Sequence, residues 1–265
     1  MSIYDRVAAV DIGGTWTRVA GAGRFPTDPS YDRQLAALTD AIPKDATALG
    51  VSFGGRVTPS GAVRVSLNLR DYEGRSLAAD LSAAVGVPVR IAHDATCGLL
   101  GEAGSGALRG FDRCGYLTLS TGVGAALRLA SVCLTTEAGH QLVAGNDLPC
   151  DCGQTGCLQT LTGGDALRRR LGRPLESIDD PGFWRTYAES LALGVANFAL
   201  SAGLEAVALG GAIASNPRLW PPLRTTLSRV LTYQQVTVVP AALGEAASIT
   251  GASRLPSLPT AAILH

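Results

Sequence analysis

The sequence predicts an α/β fold, and three observations carry that prediction. Short apolar runs of strand character alternate along the chain with stretches of helical spacing. The composition, 46% hydrophobic against 17% charged with 32 glycines in 265 residues, fits a globular α/β enzyme and excludes a disordered or fibrous chain. A pattern of strand, glycine turn and strand also occurs twice, near Val7–Ala20 and again near Cys114–Leu129. The length suffices for one large core or two smaller ones.

In order, Val7–Ile12 is an apolar run ending in Asp11 and Ile12, followed by Gly13-Gly14-Thr15 and the alternating stretch Trp16–Ala20. This reads as a β-hairpin. Its turn is either an ordinary glycine turn or an anion-binding nest of backbone N–H groups to which Thr15 adds a hydroxyl donor. Asp11 could hold Mg²⁺, through water if not directly. Ser30–Ile42 has helical spacing, and Leu49–Phe53 is a strand running into Gly54-Gly55. Ser76–Val85 is an amphipathic helix stopped by Gly86 and Pro88. Val89–Ala92 is a strand, with His93 and Asp94 at its end and a helix from Ala95 towards Leu108. A carboxylate at that junction can reach into a cleft or simply cap the helix.

The second hairpin turns at Ser120-Thr-Gly-Val-Gly124. Helices are expected over Gly163–Leu171, Phe183–Ala202, Leu219–Leu231 and Leu243–Leu255. Ala206–Ile213 is a buried strand containing Gly210-Gly211, where backbone can approach a flat base or ribose, and Val236–Pro240 is the last strand. The tail carrying Pro256 and Pro259 is expected to be loosely held.

Between these halves lies the segment with the most specific chemistry. His140, Cys150, Cys152 and Cys157 are four ligands of the types zinc prefers, and Gly153 and Gly156 let the chain turn sharply between them. Four protein ligands leave no open position, so such a zinc would be structural. The other reading is incidental cysteines in a glycine-rich loop. Cys97, Cys114 and Cys133 stand alone in apolar surroundings and read as buried thiols, which places the chain in a reducing cytoplasm without a disulfide framework. Formal net charge is zero, and the only basic run is Arg168-Arg169-Arg170, so neither a nucleic-acid nor a membrane surface is expected. The first residues lack the plan of a signal peptide, and no apolar stretch reaches the ~20 residues of a membrane span.

Together, Asp11-Ile-Gly-Gly-Thr15 with Arg18, Ser120–Gly124, Glu137-Ala-Gly-His140, Cys-x-Cys-Gly-x-x-Gly-Cys157 and Leu209-Gly-Gly211 resemble the repressor/open-reading-frame/kinase (ROK) family of sugar kinases. The resemblance implies an actin-like, ribonuclease H-like fold of two α/β domains around a cleft. Residues 1–93 with about 244–265 would form the smaller domain and 94–243 the larger. It implies phosphorylation of a sugar hydroxyl by ATP with Mg²⁺, usually at carbon six, and a structural Zn²⁺ on His140, Cys150, Cys152 and Cys157. Asp94 would be the catalytic base. Asp11, Gly13, Gly14, Thr15, Arg18, Thr121 and Gly122 would serve the phosphates and metal, and Gly210 and Gly211 the adenosine. Asn68, His93, Asp94, Glu137, His140 and Gln159 would line the sugar.

Departures from the family pattern fall mainly on the sugar side. His93 and Thr96 replace asparagines, and Gln159 replaces a glutamate that could only accept hydrogen bonds when ionised. Elsewhere Gly54-Gly55 stands where Pro-Gly is common, and Ala125-Ala126 replaces glycines. A glucose-like sugar is one expected substrate. An amino sugar, as in kanosamine kinases, or an N-acetylhexosamine is the alternative. A repressor is not expected, because Asp11 comes too early for a preceding DNA-binding domain. A non-catalytic sugar sensor would not need both phosphate turns and Asp94. Family likeness further implies a homodimer or homotetramer.

Overall fold

The structure, a computed structural model, describes residues 6–264. Strand β1 (Val7–Ile12), apolar except for Asp11, is buried almost throughout because it is flanked on both sides. It pairs antiparallel with β2 (Trp16–Val19), which pairs antiparallel with β3 (Gly23–Pro26). The short stretch after Gly21 forms this third strand, of four residues. Helix α1 (Tyr31–Ala41) leads to β4 (Ala48–Phe53), fully buried and parallel to β1. After the small ribbon β5 (Arg56–Val57) and β6 (Val63–Val65) come α2 (Leu77–Val85), β7 (Val89–His93) and α3 (Asp94–Ser105). The sheet order is β3-β2-β1-β4-β7, with β4 and β7 parallel.

The second sheet repeats this plan. Strands β8 (Arg113–Leu119) and β9 (Val123–Leu129) form an antiparallel hairpin. β11 (Ala206–Gly210) lies parallel to β8 on its other side, and β12 (Thr237–Pro240) parallel to β11. Between them run α4 (Leu158–Thr162), α5 (Gly164–Leu171) and α6 (Pro181–Ala202), and α7 (Trp220–Val230) precedes β12. Helix α6 starts where Asp180 accepts from the Gly182 and Phe183 N–H groups, with Pro181 in the first turn, and ends at left-handed Gly203.

The chain divides into two compact units. One comprises Met1–Gly104, Ser131–Thr135 and Ala246–His265, and the other Ser105–Ala130 and Thr136–Glu245. The sequence reading starts its second domain at Asp94, but α3 packs within the first unit against α8 (Ala247–Ala252). A Cβ on Gly101 would lie 2.3 Å from the Ala247 carbonyl oxygen, and one on Gly251 only 1.7 Å from that of Cys97. The two backbones meet with no room for side chains. The tail is held as well, contrary to expectation. Leu255 and Pro256 are buried, Arg90 donates to the Leu255 and Leu258 carbonyls, and β13 (Ile263–Leu264) pairs in parallel with β10 (Val132–Thr136).

Candidate functional site

The predicted residues form two clusters, one in each unit. In the first unit, strand register builds the cluster. Asp11 lies opposite Arg18 on β2 and opposite Ser52 on β4. Both partners use it: Ser52 Oγ donates to Oδ1 at 2.7 Å, and Arg18 donates to Oδ2 at 3.2 Å. Burial pushes the Asp11 carboxyl above the usual carboxylate range, and the nearby Asp94 charge adds to this. The Ser52 hydrogen bond and Arg18 pull the other way. Ser52 is fully buried and was not anticipated from the sequence, because its role depends on the parallel pairing of β1 with β4.

The turn after β1 closes through a hydrogen bond from the Gly13 N–H to the Trp16 carbonyl, leaving Gly14 and Thr15 exposed. Asn68 packs its side chain on Gly14, so this predicted sugar residue adjoins the predicted phosphate turn. At the end of β7, Asp94 Oδ1 accepts the Ala95 N–H at 2.6 Å and lies 3.0 Å from His93 Nδ1. Asp94 Oδ2 is uncommitted among the described residues, and the side chain is about one-third exposed. That is the geometry a general base needs: one oxygen fixed, the other available. Beneath this cluster, burial drives the Cys97 thiol well above its ordinary range, as expected of an inert core cysteine.

In the second unit, the Glu137–His140 turn, the β8–β9 turn and α4 converge. A Cβ on Gly139 would lie 2.2 Å from the Val123 carbonyl oxygen, so only glycine lets the Glu137–His140 turn close on β9. Val123 N–H donates to Gln159 Oε1 at 2.9 Å. Thr121 and Glu137 are exposed, and His140 and Gln159 half-buried.

The four metal-ligand candidates come together as well. One ligand atom from each of His140, Cys150, Cys152 and Cys157 lies within 4.8 Å of all the others. Cys150 Sγ is 3.6 Å from His140 Nδ1, and Cys152 Sγ 3.7 Å from Cys157 Sγ. Zinc–sulfur bonds of about 2.3 Å in a tetrahedron would put sulfurs about 3.8 Å apart, so the donor set fits zinc in both chemistry and spacing. The loop is pinned by the Cys150 N–H to the Gln154 carbonyl and by Asn146, which donates to the Cys157 carbonyl. Gln154 Nε2 lies 3.5 and 3.4 Å from the Cys152 and Cys157 sulfurs, a donor suited to thiolates. None of the six cysteines forms a disulfide among the described residues.

Gly210 and Gly211 have a structural reason to be glycine whatever they face. A Cβ on Gly210 would collide with the Tyr116 hydroxyl, and one on Gly211 with the Leu119 carbonyl, so packing against β8 already demands glycine at both. The space lies just beyond them. A cavity of about 270 Å³ is lined by Ala212, Ile213, Asn216 and Arg218 with Leu175 and Trp184. Its polar residues carried no motif in the sequence.

The ROK family matches residues 27–257. This chain belongs to the ROK family. The Asp11–Arg18 hairpin precedes the matched span, yet its geometry stands on its own. Among ROK-related proteins, a glucokinase of Thermotoga maritima is 34% identical over 135 residues, 48% of this chain but only 43% of that protein's length. A kanosamine kinase of Amycolatopsis mediterranei is 28% identical over 249 residues, 84% of this chain and 81% of the other. The solved ROK hexokinase of Thermus thermophilus superposes with a TM-score of 0.80 at 27% identity, covering 93% of this chain and 96% of that one. The ROK chain described here thus has the actin-like ATPase fold of those sugar kinases.

Proposed function

We propose that the chain is an ATP-dependent hexose kinase acting on a hydroxyl of glucose or a glucose-like sugar. The observation that carries the reading is Asp94, with Oδ1 held by the Ala95 N–H and Oδ2 uncommitted, in a chain of the ROK family. Asp94 takes the proton of the attacking hydroxyl as that oxygen attacks the γ-phosphorus of ATP. The bond from the γ-phosphorus to the bridging oxygen breaks, and ADP leaves. The chain's part is positioning and charge stabilisation. The β1–β2 and β8–β9 turns present N–H groups and the Thr15 and Thr121 hydroxyls to the phosphates. Asn68, His93, Glu137 and His140 address the sugar hydroxyls. Mg²⁺ bound with the nucleotide would supply screening of its phosphate charge. Asp11, whose oxygens already serve Ser52 and Arg18, would address that ion through water. The cavity beyond Gly211 would take the adenine, and zinc on the three cysteines and His140 would brace the loop that carries His140.

An amino sugar is the second reading. It is favoured by likeness to the kanosamine kinase over four-fifths of both chains. The chain is proposed to work in a reducing cytoplasm, supported by six cysteines that form no disulfide among the described residues, and as a homodimer or homotetramer, supported by family likeness alone. No described helix is long and apolar enough to cross a membrane.

The test is ATP consumption against glucose, mannose, N-acetylglucosamine, N-acetylmannosamine, glucosamine and kanosamine, with Asp94→Asn as control. The expected outcome is turnover of at least one of these sugars, with kcat for Asp94→Asn down by about 10²–10⁴ and an unchanged melting temperature. A clear preference for glucose in kcat/KM removes the amino-sugar reading, and a large preference for kanosamine or glucosamine removes the glucose reading. Full activity of Asp94→Asn would sink the assignment of the base.

A further inference from the structure

The β8–β9 turn carries Thr121 and Gly122, and it is held from outside its own strands. The Gly164 N–H donates to the Ser120 carbonyl at 2.8 Å, and the Asp165 N–H donates to the Thr121 carbonyl at 2.9 Å, both from the first turn of α5. A third external restraint is a side chain, Gln159 of α4, whose Oε1 accepts the Val123 N–H at 2.9 Å. The turn is moulded around that amide. A Cβ on Gly122 would lie 2.8 Å from Gln159 Oε1, and one on Gly163 would lie 3.0 Å from Gln159 Cγ. Val123 is buried, so its N–H has no water to fall back on if Oε1 is removed.

From these contacts we infer that Gln159 is a positioning residue for the phosphate turn: by accepting the Val123 N–H it fixes the direction in which Thr121 and Gly122 face the nucleotide. The inference rests on the assignment of that turn to the ATP phosphates. It also constrains any contact with sugar. The single acceptor oxygen of the amide is consumed inside the protein, and Nε2, with no partner among the described residues, can only donate. A ligand atom facing Gln159 must therefore accept a hydrogen bond, which an ammonium group cannot do.

Two variants separate positioning from direct sugar binding. Gln159→Met keeps the length of the side chain and removes the acceptor, and Gln159→Glu keeps an acceptor. The readouts are KM for ATP, KM for the preferred sugar, the Kd of a non-hydrolysable ATP analogue by calorimetry, and the melting temperature. Gln159→Met is expected to weaken the analogue and raise KM for ATP about five- to twentyfold, the cost of one unpaired buried donor, with KM for sugar within about twofold. Gln159→Glu, which keeps an acceptor for the Val123 N–H, is expected to weaken the analogue clearly less than Gln159→Met does. A second pair guards against a Gln159→Met that fails to fold. Gly122→Ala alone should weaken the analogue because its methyl meets Oε1, yet add nothing in a Gln159→Ala background, since the shared contact is already gone. A change in KM for sugar with KM for ATP unmoved, equal effects of Met and Glu, or additive effects in the second pair would each overturn the role. Wild-type protein that binds no analogue overturns the phosphate assignment, and this role with it. Wild-type binding with Gln159→Met unchanged overturns this role alone.

Discussion

Asp11 is a buried carboxylate whose charge is penalised by burial, and only the proposed function gives that charge a use. Its carboxyl sits above the usual range mainly because burial penalises the ion. A raised carboxyl binds more protons in the folded state than in the unfolded chain, so its contribution to stability is greatest at low pH. That contribution is lost as pH rises through the folded value. Asp11→Asn should therefore raise the melting temperature at pH 7 by about 2 °C or more, and the gain should vanish as pH falls to about 4. The same variant should lose activity at least about tenfold. Calorimetry at the two pH values checks the sign, and a lower melting temperature at pH 7 would contradict it. At this scale the sequence was informative where a motif is local. Asp11, Arg18, Asp94 and the four metal-ligand candidates all sit in short recognisable runs. Ser52 was hidden because it meets Asp11 across 41 positions, through a strand register that no local pattern contains. Gln159 was noticed as a departure from the family pattern, but its bond to Val123 depends on how α4 docks.

Helix α4 illustrates what was illegible at the scale of elements. It has five residues and begins directly after Cys157, too short to show a helical period and easily merged with α5. The hairpins, with their alternation and glycine turns, were legible. β11 ended earlier than its apolar run because Gly210 and Gly211 turn the chain against β8. The Cys150–Cys157 loop has little hydrophobic filling of its own, with Cys152 exposed, so a metal would carry much of its order. The expected result for protein purified without chelator is about one zinc per chain by plasma mass spectrometry. Cys150→Ala should abolish that zinc and lower the melting temperature. Full stability with no metal in either form would show that hydrogen bonds suffice to hold the loop.

At the scale of the molecule, the first unit is discontinuous, completed by Ala246–His265 after the second unit has been traversed. Composition could not reveal this, because α8 carries no signal for its partners beyond small residues, Ala247 and Gly251 among them, that could suit any helix. The joint is tight. Gly251→Ala would force a methyl to within 1.7 Å of the Cys97 carbonyl oxygen, against backbone that cannot move without shifting α3 and Asp94 with it. The variant is expected to lose about 3 kcal/mol or more, read as a melting temperature lower by about 6 °C or more. A shift below about 2 °C would mean that the helices separate easily.

The same joint bears on how the protein is made. At about 5–20 residues per second, the roughly 140 residues between Gly104 and Ala246 occupy a ribosome for on the order of ten seconds. Throughout that interval the nascent amino-terminal portion has its central strands and α3 but not the helix that seals them, while the intervening unit is still being made. The last segment to emerge thus closes the first one begun, and the apolar groove awaiting it is the surface a chaperone would meet.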